Sequence, residues 1–242
     1  MIKDPRQKIK DQRLQDLHDL QDLHDLHDLL TMDHNLKKLI EAGEGQQLDF
    51  KFCVSDSRKI ARTLSSFSNS NGGRLLIGVR DNGSIAGIRS DEEIYMVDTA
   101  AQLFCRPEIT YTIKQHVTAG KTILEVEVAK GEKRPYQAKD EDGRWLTYFR
   151  HEDQNLLANR VLRQLWRKEE KKKGVLVKFG KAENALMDYL KENGTITISK
   201  FRKVAKISPY KAEAIIANLI HFKVLKMNAS EKGFSYELNP TS

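Results

Sequence analysis

Between residues 32 and 167 the apolar period changes several times, and each change predicts an element. Leu36, Leu39 and Ile40 fall at helical spacing, and that run stops at Gly43. Residues 45–54 then alternate as a strand does, with Leu48, Phe50 and Phe52 on one side and Asp49 and Lys51 on the other. Ile60, Leu64 and Phe67 return to helical spacing behind a Ser55 or Asp56 cap, and Arg58 and Arg62 share another face of that helix. Asn69-Ser70-Asn71-Gly72-Gly73 predicts a turn, and the apolar run 74–79 predicts a strand covered on both faces. Asp81-Asn82-Gly83 predicts a hairpin turn. A helix follows over 91–104 and stops before Arg106-Pro107. Strands 109–117 and 122–128 form the next hairpin, with Leu124, Val126 and Val128 inward and Glu125 and Glu127 outward. A strand over 145–150 and a helix from near Glu152 to about Lys172 complete the unit. Strands and helices mix without regular β-α-β alternation, so the fold class is α+β.

A charged stretch at 168–180 reads as a linker. Beyond it, Ala182, Leu186, Tyr189 and Leu190 predict a helix ending at Asn193-Gly194, and 196–198 a short strand. Ser199 heads a helix holding Phe201 and Val204, and Ser208-Pro209 heads another with Ala212, Ile215, Ile216, Leu219 and Ile220 inward. Strands at 224–227 and 234–236 flank residues 228–233. This order resembles a winged helix, which implies a small DNA-binding domain whose third helix enters the major groove. Its outward positions are Tyr210, Lys211, Glu213, Ala214, Ala217, Asn218 and His221. Lys200, Arg202, Lys203, Lys206 and, in the wing, Lys232 are the expected phosphate contacts.

Residues 1–31 differ from the rest. Leucine recurs every third residue from Leu14 to Leu29, interleaved with Asp16, Asp19, Asp22, Asp25 and Asp28. A period of three rotates leucine around a helix and leaves no fixed apolar face. The segment reads as a low-complexity Leu/Asp/His repeat outside the fold, with ordinary domain sequence starting at Met32.

Composition narrows the classes. The 242 residues are 39% apolar and 31% charged, and no apolar run is long enough to span a membrane. No apolar leader opens the chain, so a cytoplasmic location is expected. Two cysteines, Cys53 and Cys105, exclude a disulfide framework and a cysteine-only zinc site. The net charge of +7 is uneven: residues 167–242 hold 16 basic and 8 acidic groups, whereas 32–166 hold 20 and 19. A basic excess confined to the last third points to a polyanion, most simply nucleic acid. Ala119-Gly120-Lys121-Thr122 imitates the end of a P-loop, but Gln115 stands where the first glycine belongs and the segment lies on a hairpin turn, so ATP hydrolysis is excluded.

The string E-G-Q-Q-L-D-F-K (44–51), a helix, and then S-N-S-N-G-G-R-L-L-I-G-V-R-D-N-G-S-I-A-G-I (68–88) resemble the divergent Alba-type domain of Schlafen proteins and of many bacterial proteins. The resemblance covers about 40–165, and D-G-R-W-L-T-Y-F-R-H-E-D-Q-N-L-L-A-N-R-V-L is similar to versions in Bacteroidetes-type bacterial proteins. It implies an Alba-like fold and nucleic-acid binding. In the Schlafen nucleases it also implies a three-carboxylate, metal-dependent RNA-cleaving site. Glu44 and Asp49 match the first two carboxylates in spacing, with Lys51 as the nearby cation. Arg80 stands where the third belongs, and the acid comes one residue later at Asp81. A one-residue shift on a strand turns the side chain to the other face. Asn69, Gly72, Gly73, Gly78 and Gly83 form the backbone motif of the resemblance.

The expected organisation is therefore an Alba-like Schlafen-type domain at 32–167, a linker at 168–180 and a winged helix at 181–242. The leading expectation is a non-enzymatic, transcription-regulator-like homodimer that binds DNA in preference to RNA and needs no cofactor. One alternative is an endoribonuclease holding Mg²⁺ or Mn²⁺ on Glu44, Asp49 and Asp81. The other is a non-catalytic assembly module.

Overall fold

The computed structural model describes residues 33–171 and 179–240; the repeat at 1–31 and most of the expected linker lie outside the described residues. The first unit is built on a four-stranded sheet in the order β1-β2-β5-β4. Strand β1 (Leu48–Lys51) runs parallel to β2 (Gly73–Ile77), with Asp49 opposite Leu75 and Lys51 opposite Ile77. Helix α2 (Ser57–Asn69) joins them, and Asp56 caps it by accepting the Arg58 N–H at 2.8 Å. Strands β4 (Tyr111–Thr118) and β5 (Lys121–Val128) form the expected hairpin, turning at Ala119-Gly120.

Alternation on β2 divides the core. Leu75 and Ile77 join Ile60, Leu64 and Phe67 of α2 and Val97 of α3 (Glu92–Leu103) on one face. Leu76 joins Leu48, Phe50, Val79, Ile85 and Ile123 on the other, beneath Leu36 and Ile40 of α1 (His34–Ala42). Both sheet faces are thus covered, which is why the 74–79 run has no polar alternation. Two glycines of the motif are set by close backbone approach. At Gly72 (φ +75°) a Cβ would stand 2.7 Å from the Val128 carbonyl oxygen, and at Gly78 (φ +96°) one would stand 2.8 Å from the Gly87 carbonyl carbon.

The stretch 105–157 carries more strand than its pattern predicts. Strands β3 (Cys105–Arg106), β6 (Gln137–Lys139) and β7 (Trp145–Leu146) make a small sheet, and β8 (Tyr148–His151) pairs with β9 (Gln154–Leu157). The helix expected from near Glu152 begins only at Arg160, because Glu152 takes a left-handed turn (φ +54°) that folds β9 back on β8.

That helix, α4 (Arg160–Lys171), also changes the domain boundary. Its Val161 and Leu165 lie in the core of the second unit, with Leu186, Phe201, Ile216 and Leu225. The second unit therefore begins near residue 159 instead of 181. After α4 come α5 (Lys181–Asn193), β10 (Thr195–Ile196), α6 (Ile198–Ala205), α7 (Pro209–His221), β11 (Leu225–Ser230) and β12 (Gly233–Leu238). The strands pair in the order β10-β12-β11. Thr197, not Ser199, caps α6, accepting the Lys200 N–H at 3.3 Å. Helix α4 packs along α7, and Ala217 is fully buried in the core of the second unit, so that position does not face outward as expected. The two units meet through stacked Phe149 and Phe234, 6.0 Å between centroids, and through Asn159 Nδ2 donating to the Tyr236 hydroxyl at 3.0 Å.

Candidate nucleic-acid interface

Asp49 and Lys51 share a face of β1 as the alternation requires, and Lys51 Nζ lies 3.0 Å from Asp49 Oδ2. Asp49 is only 3% exposed, so its charge needs compensation inside the protein. Arg150 of β8 supplies it. Arg150 Nη2 donates to Asp49 Oδ1 at 3.2 Å and to the Leu48 carbonyl at 3.0 Å. Its Nε donates to the Gly45 carbonyl at 3.0 Å, and its Nη1 to Asn155 Oδ1 at 3.2 Å. Thr63 of α2 donates to Asp49 Oδ2 at 3.3 Å and accepts from Asn155 Nδ2 at 3.1 Å. The guanidinium also rests 5.3 Å from the Phe67 ring centroid. Every oxygen of Asp49 is thereby engaged in holding β1, α2 and β8 together.

Glu44 stands beside this pair, and its Oε1 accepts the Phe50 N–H at 2.8 Å. Burial pushes its carboxyl above the usual glutamate range; the Phe50 N–H opposes this, and the neighbouring Asp49 carboxylate adds to it. Asp81 does not join them. It is exposed at the tip of the turn after β2, and among the described residues no group of three or more His, Cys, Asp or Glu side chains could hold a metal ion. Mg²⁺ keeps several of its waters and binds through one or two carboxylates whose oxygens are free to reach it in near-octahedral geometry. Here the carboxylates with that spacing are occupied by Arg150, Lys51, Thr63 and a backbone N–H, so the residues present do not fit the metal that the resemblance implies.

The basic residues form two groups. Arg58 and Arg62 of α2 converge with Lys59, Lys139, Arg144 and Tyr148 on an open cleft of about 280 Å³ whose other side carries Asp140, Glu141 and Asp142. Arg62 lies 5.1 Å from the Tyr148 centroid and Arg58 lies 5.2 Å from that of Phe104. Arg144 is held at the rim by Asp140 and Asp142, both at 2.8 Å. In the second unit, Lys200, Arg202, Lys203, Lys206 and Lys211 are all exposed along α6 and the start of α7, and Tyr210 is 76% exposed beside them. None of these cations is in an ion pair with a described carboxylate. Lys232, also exposed, sits at the tip of the β11–β12 hairpin. Glu213, Ala214 and Asn218 are partly covered, and His221 is exposed at the far end of α7.

Several residues of these sites carry no sequence signal of their own. Arg150, Thr63 and Asn155 are far apart along the chain and look like ordinary strand and helix positions. The one available hint was an arginine inside the otherwise inward-facing string Tyr148-Phe149-Arg150. Asn69 proves structural: its Nδ2 donates to the Tyr136 carbonyl at 2.7 Å and the Tyr148 carbonyl at 2.6 Å, and its Oδ1 accepts the Tyr136 N–H at 2.7 Å.

Comparison with known proteins places these features in a family. No curated protein matches the chain. Among solved structures, the DIP2311 protein of Corynebacterium diphtheriae aligns at 17% identity and TM-score 0.39 over 78% of this chain, which spans 34% of that protein's length. The N-terminal domain of an ATP-dependent DNA helicase RecG-related protein from Nitrosomonas europaea aligns at 19% identity and TM-score 0.36, over 52% of this chain and 95% of that one. The family model described as Schlafen, AlbA_2 matches residues 44–159, a stretch that contains the Asp49–Arg150 network, the α2 cleft and the glycine motif. Residues 44–159 of this chain are a divergent Schlafen-type Alba-like domain.

Proposed function

We infer that this protein binds duplex DNA as a transcription-regulator-like factor, with its second unit acting as a winged helix. The observation that carries the reading is the corner between α6 and α7. Arg202, Lys203, Lys206 and Lys211 are exposed there beside Tyr210, and none is neutralised by a described carboxylate. In helix-turn-helix proteins the N-terminal residues of the recognition helix reach base edges while neighbouring cations grip phosphates. Tyr210 and Lys211 hold that position on α7. The cleft of Arg58, Lys59 and Arg62 supplies a second backbone contact in the Alba-like domain. A homodimer would present two such corners to half-sites about one helical turn apart.

The test is duplex affinity against salt, with light scattering to count chains. A docking surface of about six phosphate contacts gives a slope of log K on log salt near −5. Arg202→Gln, at a phosphate contact, flattens that slope by about one, and Lys211→Gln, at the base-reading position, weakens duplex binding by about 1–3 kcal/mol. A slope near zero, or variants that bind as the parent does, refutes the reading.

A further inference from the structure

Phe52 lies just beyond β1 and is 40% exposed. Two guanidiniums share its ring. Arg80 lies 5.0 Å from the centroid and Arg89 lies 5.1 Å from it. Neither is in an ion pair with a described carboxylate; Arg80 Nη1 donates only to Ser84 Oγ, at 3.3 Å. Arg80 is the residue that replaces a carboxylate of the resemblance, so the local charge is reversed from what a metal site needs.

The arrangement is held rigidly. Glu93, 4% exposed, accepts the Val54 N–H on Oε2 and the Arg89 N–H on Oε1, both at 2.7 Å, and so ties the segment after Phe52 to the one carrying Arg89. The Arg80 N–H donates to the Ser84 carbonyl at 3.0 Å, and the Arg80 carbonyl accepts the Gly83 N–H at 2.8 Å. Ala86 and Gly87 both donate to the Gly78 carbonyl, at 2.8 and 2.9 Å. These bonds fix the backbone that carries the three side chains, and the two like charges that meet on one ring are an arrangement that a bound anion relieves. A guanidinium lying on an aromatic ring keeps its outer face free to stack on a base and its N–H edge free for phosphate. Bases inside a duplex are already stacked on one another, whereas a single strand can offer a free face.

We propose that Phe52, Arg80 and Arg89 form a site for single-stranded nucleic acid, where an unpaired base stacks on the arginine–phenylalanine layer and its phosphate bridges the guanidiniums. The proposal rests on the nucleic-acid reading above and adds a second ligand form on a different surface. Its test uses the full chain, a labelled single strand of about 15 nucleotides, the same sequence as a duplex, and fluorescence anisotropy. Phe52→Leu keeps the apolar contact and removes the ring, and the Arg80→Gln/Arg89→Gln pair removes the charge. Each lowers single-strand affinity about fivefold or more and leaves duplex affinity within about twofold. The arginine pair also flattens the single-strand salt dependence. If circular dichroism shows that Phe52→Leu does not fold, the arginine pair decides. Single-strand binding within about twofold of the parent overturns the proposal, as does parallel weakening of both ligands or displacement of the strand by equimolar AMP. A parent chain that binds the duplex but not the single strand overturns this proposal alone. A parent chain that binds neither overturns the nucleic-acid reading with it.

Discussion

Replacing Arg150 by methionine tests whether Asp49 is a structural carboxylate or a chemical one. Both residues are almost fully buried, at 2% and 3% exposure. Methionine keeps most of the side-chain volume and removes the guanidinium fork. It strips the donor from Asp49 Oδ1 and also from the Leu48 and Gly45 carbonyls. Removing one partner of a buried ion pair costs about 3–5 kcal/mol, because the other charge stays buried. Lys51 remains 3.0 Å from Asp49 Oδ2 and is partly exposed, which holds the loss toward the lower end. The expected cost is therefore about 3–4 kcal/mol, equivalent to roughly 10 °C in Tm for a protein of this size. Urea unfolding followed by circular dichroism measures it. Asp49→Asn placed on top of Arg150→Met removes the stranded charge and recovers about 1–2 kcal/mol. An Arg150→Met protein within about 1 kcal/mol of the parent, or a double variant no more stable than the single, would refute the structural role.

Three further outcomes follow from the same geometry. Because the folded Glu44 carboxyl holds its proton above the usual value of 4.5, its contribution to stability is present below that pH and falls as pH rises through the folded value. Glu44→Gln, which keeps the acceptor for the Phe50 N–H, removes that fall; stability curves from pH 4 to 7 that superimpose for the two proteins would contradict it. Burial pushes the Cys105 thiol up to about 12, whereas Cys53 is partly exposed. A thiol reagent should therefore label Cys53 in the folded protein and Cys105 only after denaturant is added. Leu165→Ala on α4 should destabilise the second unit by about 2–4 kcal/mol, and a loss below about 1 kcal/mol would return α4 to the first unit.

Much of the first unit was legible because its periods are clean. The alternation at 48–51 and the helical spacing of Ile60, Leu64 and Phe67 each reflect one packing environment, and the uninterrupted 74–79 run reflects two, one on each face of the sheet. Within 134–159 only the strand at 145–150 was legible, as β7 and β8; β6 and β9 were not, because strands of three and four residues held by distant side chains, such as Asn69, show no period. A pattern needs more length than that to show a period. Helix α4 was read as a helix but assigned to the wrong unit, since its apolar stripe reveals a face and not the partner of that face. The candidate site divides in the same way. Asp49 and Lys51 could be placed together from strand alternation, but the partner that decides the role of Asp49 is 101 residues away. The cation at Arg80 was visible in the sequence, whereas its stacking on Phe52 beside Arg89 required the fold.

The most direct measurement of the central claim incubates the full chain with end-labelled duplex DNA, single-stranded RNA and tRNA, in Mn²⁺ or in EDTA, on paired native and denaturing gels. The account predicts an intact duplex that shifts equally in both conditions, with the shift weakened by Lys211→Gln or Arg202→Gln. Cleavage that requires Mn²⁺ and disappears in Glu44→Ala would contradict it and make the carboxylates beside β1 a nuclease site.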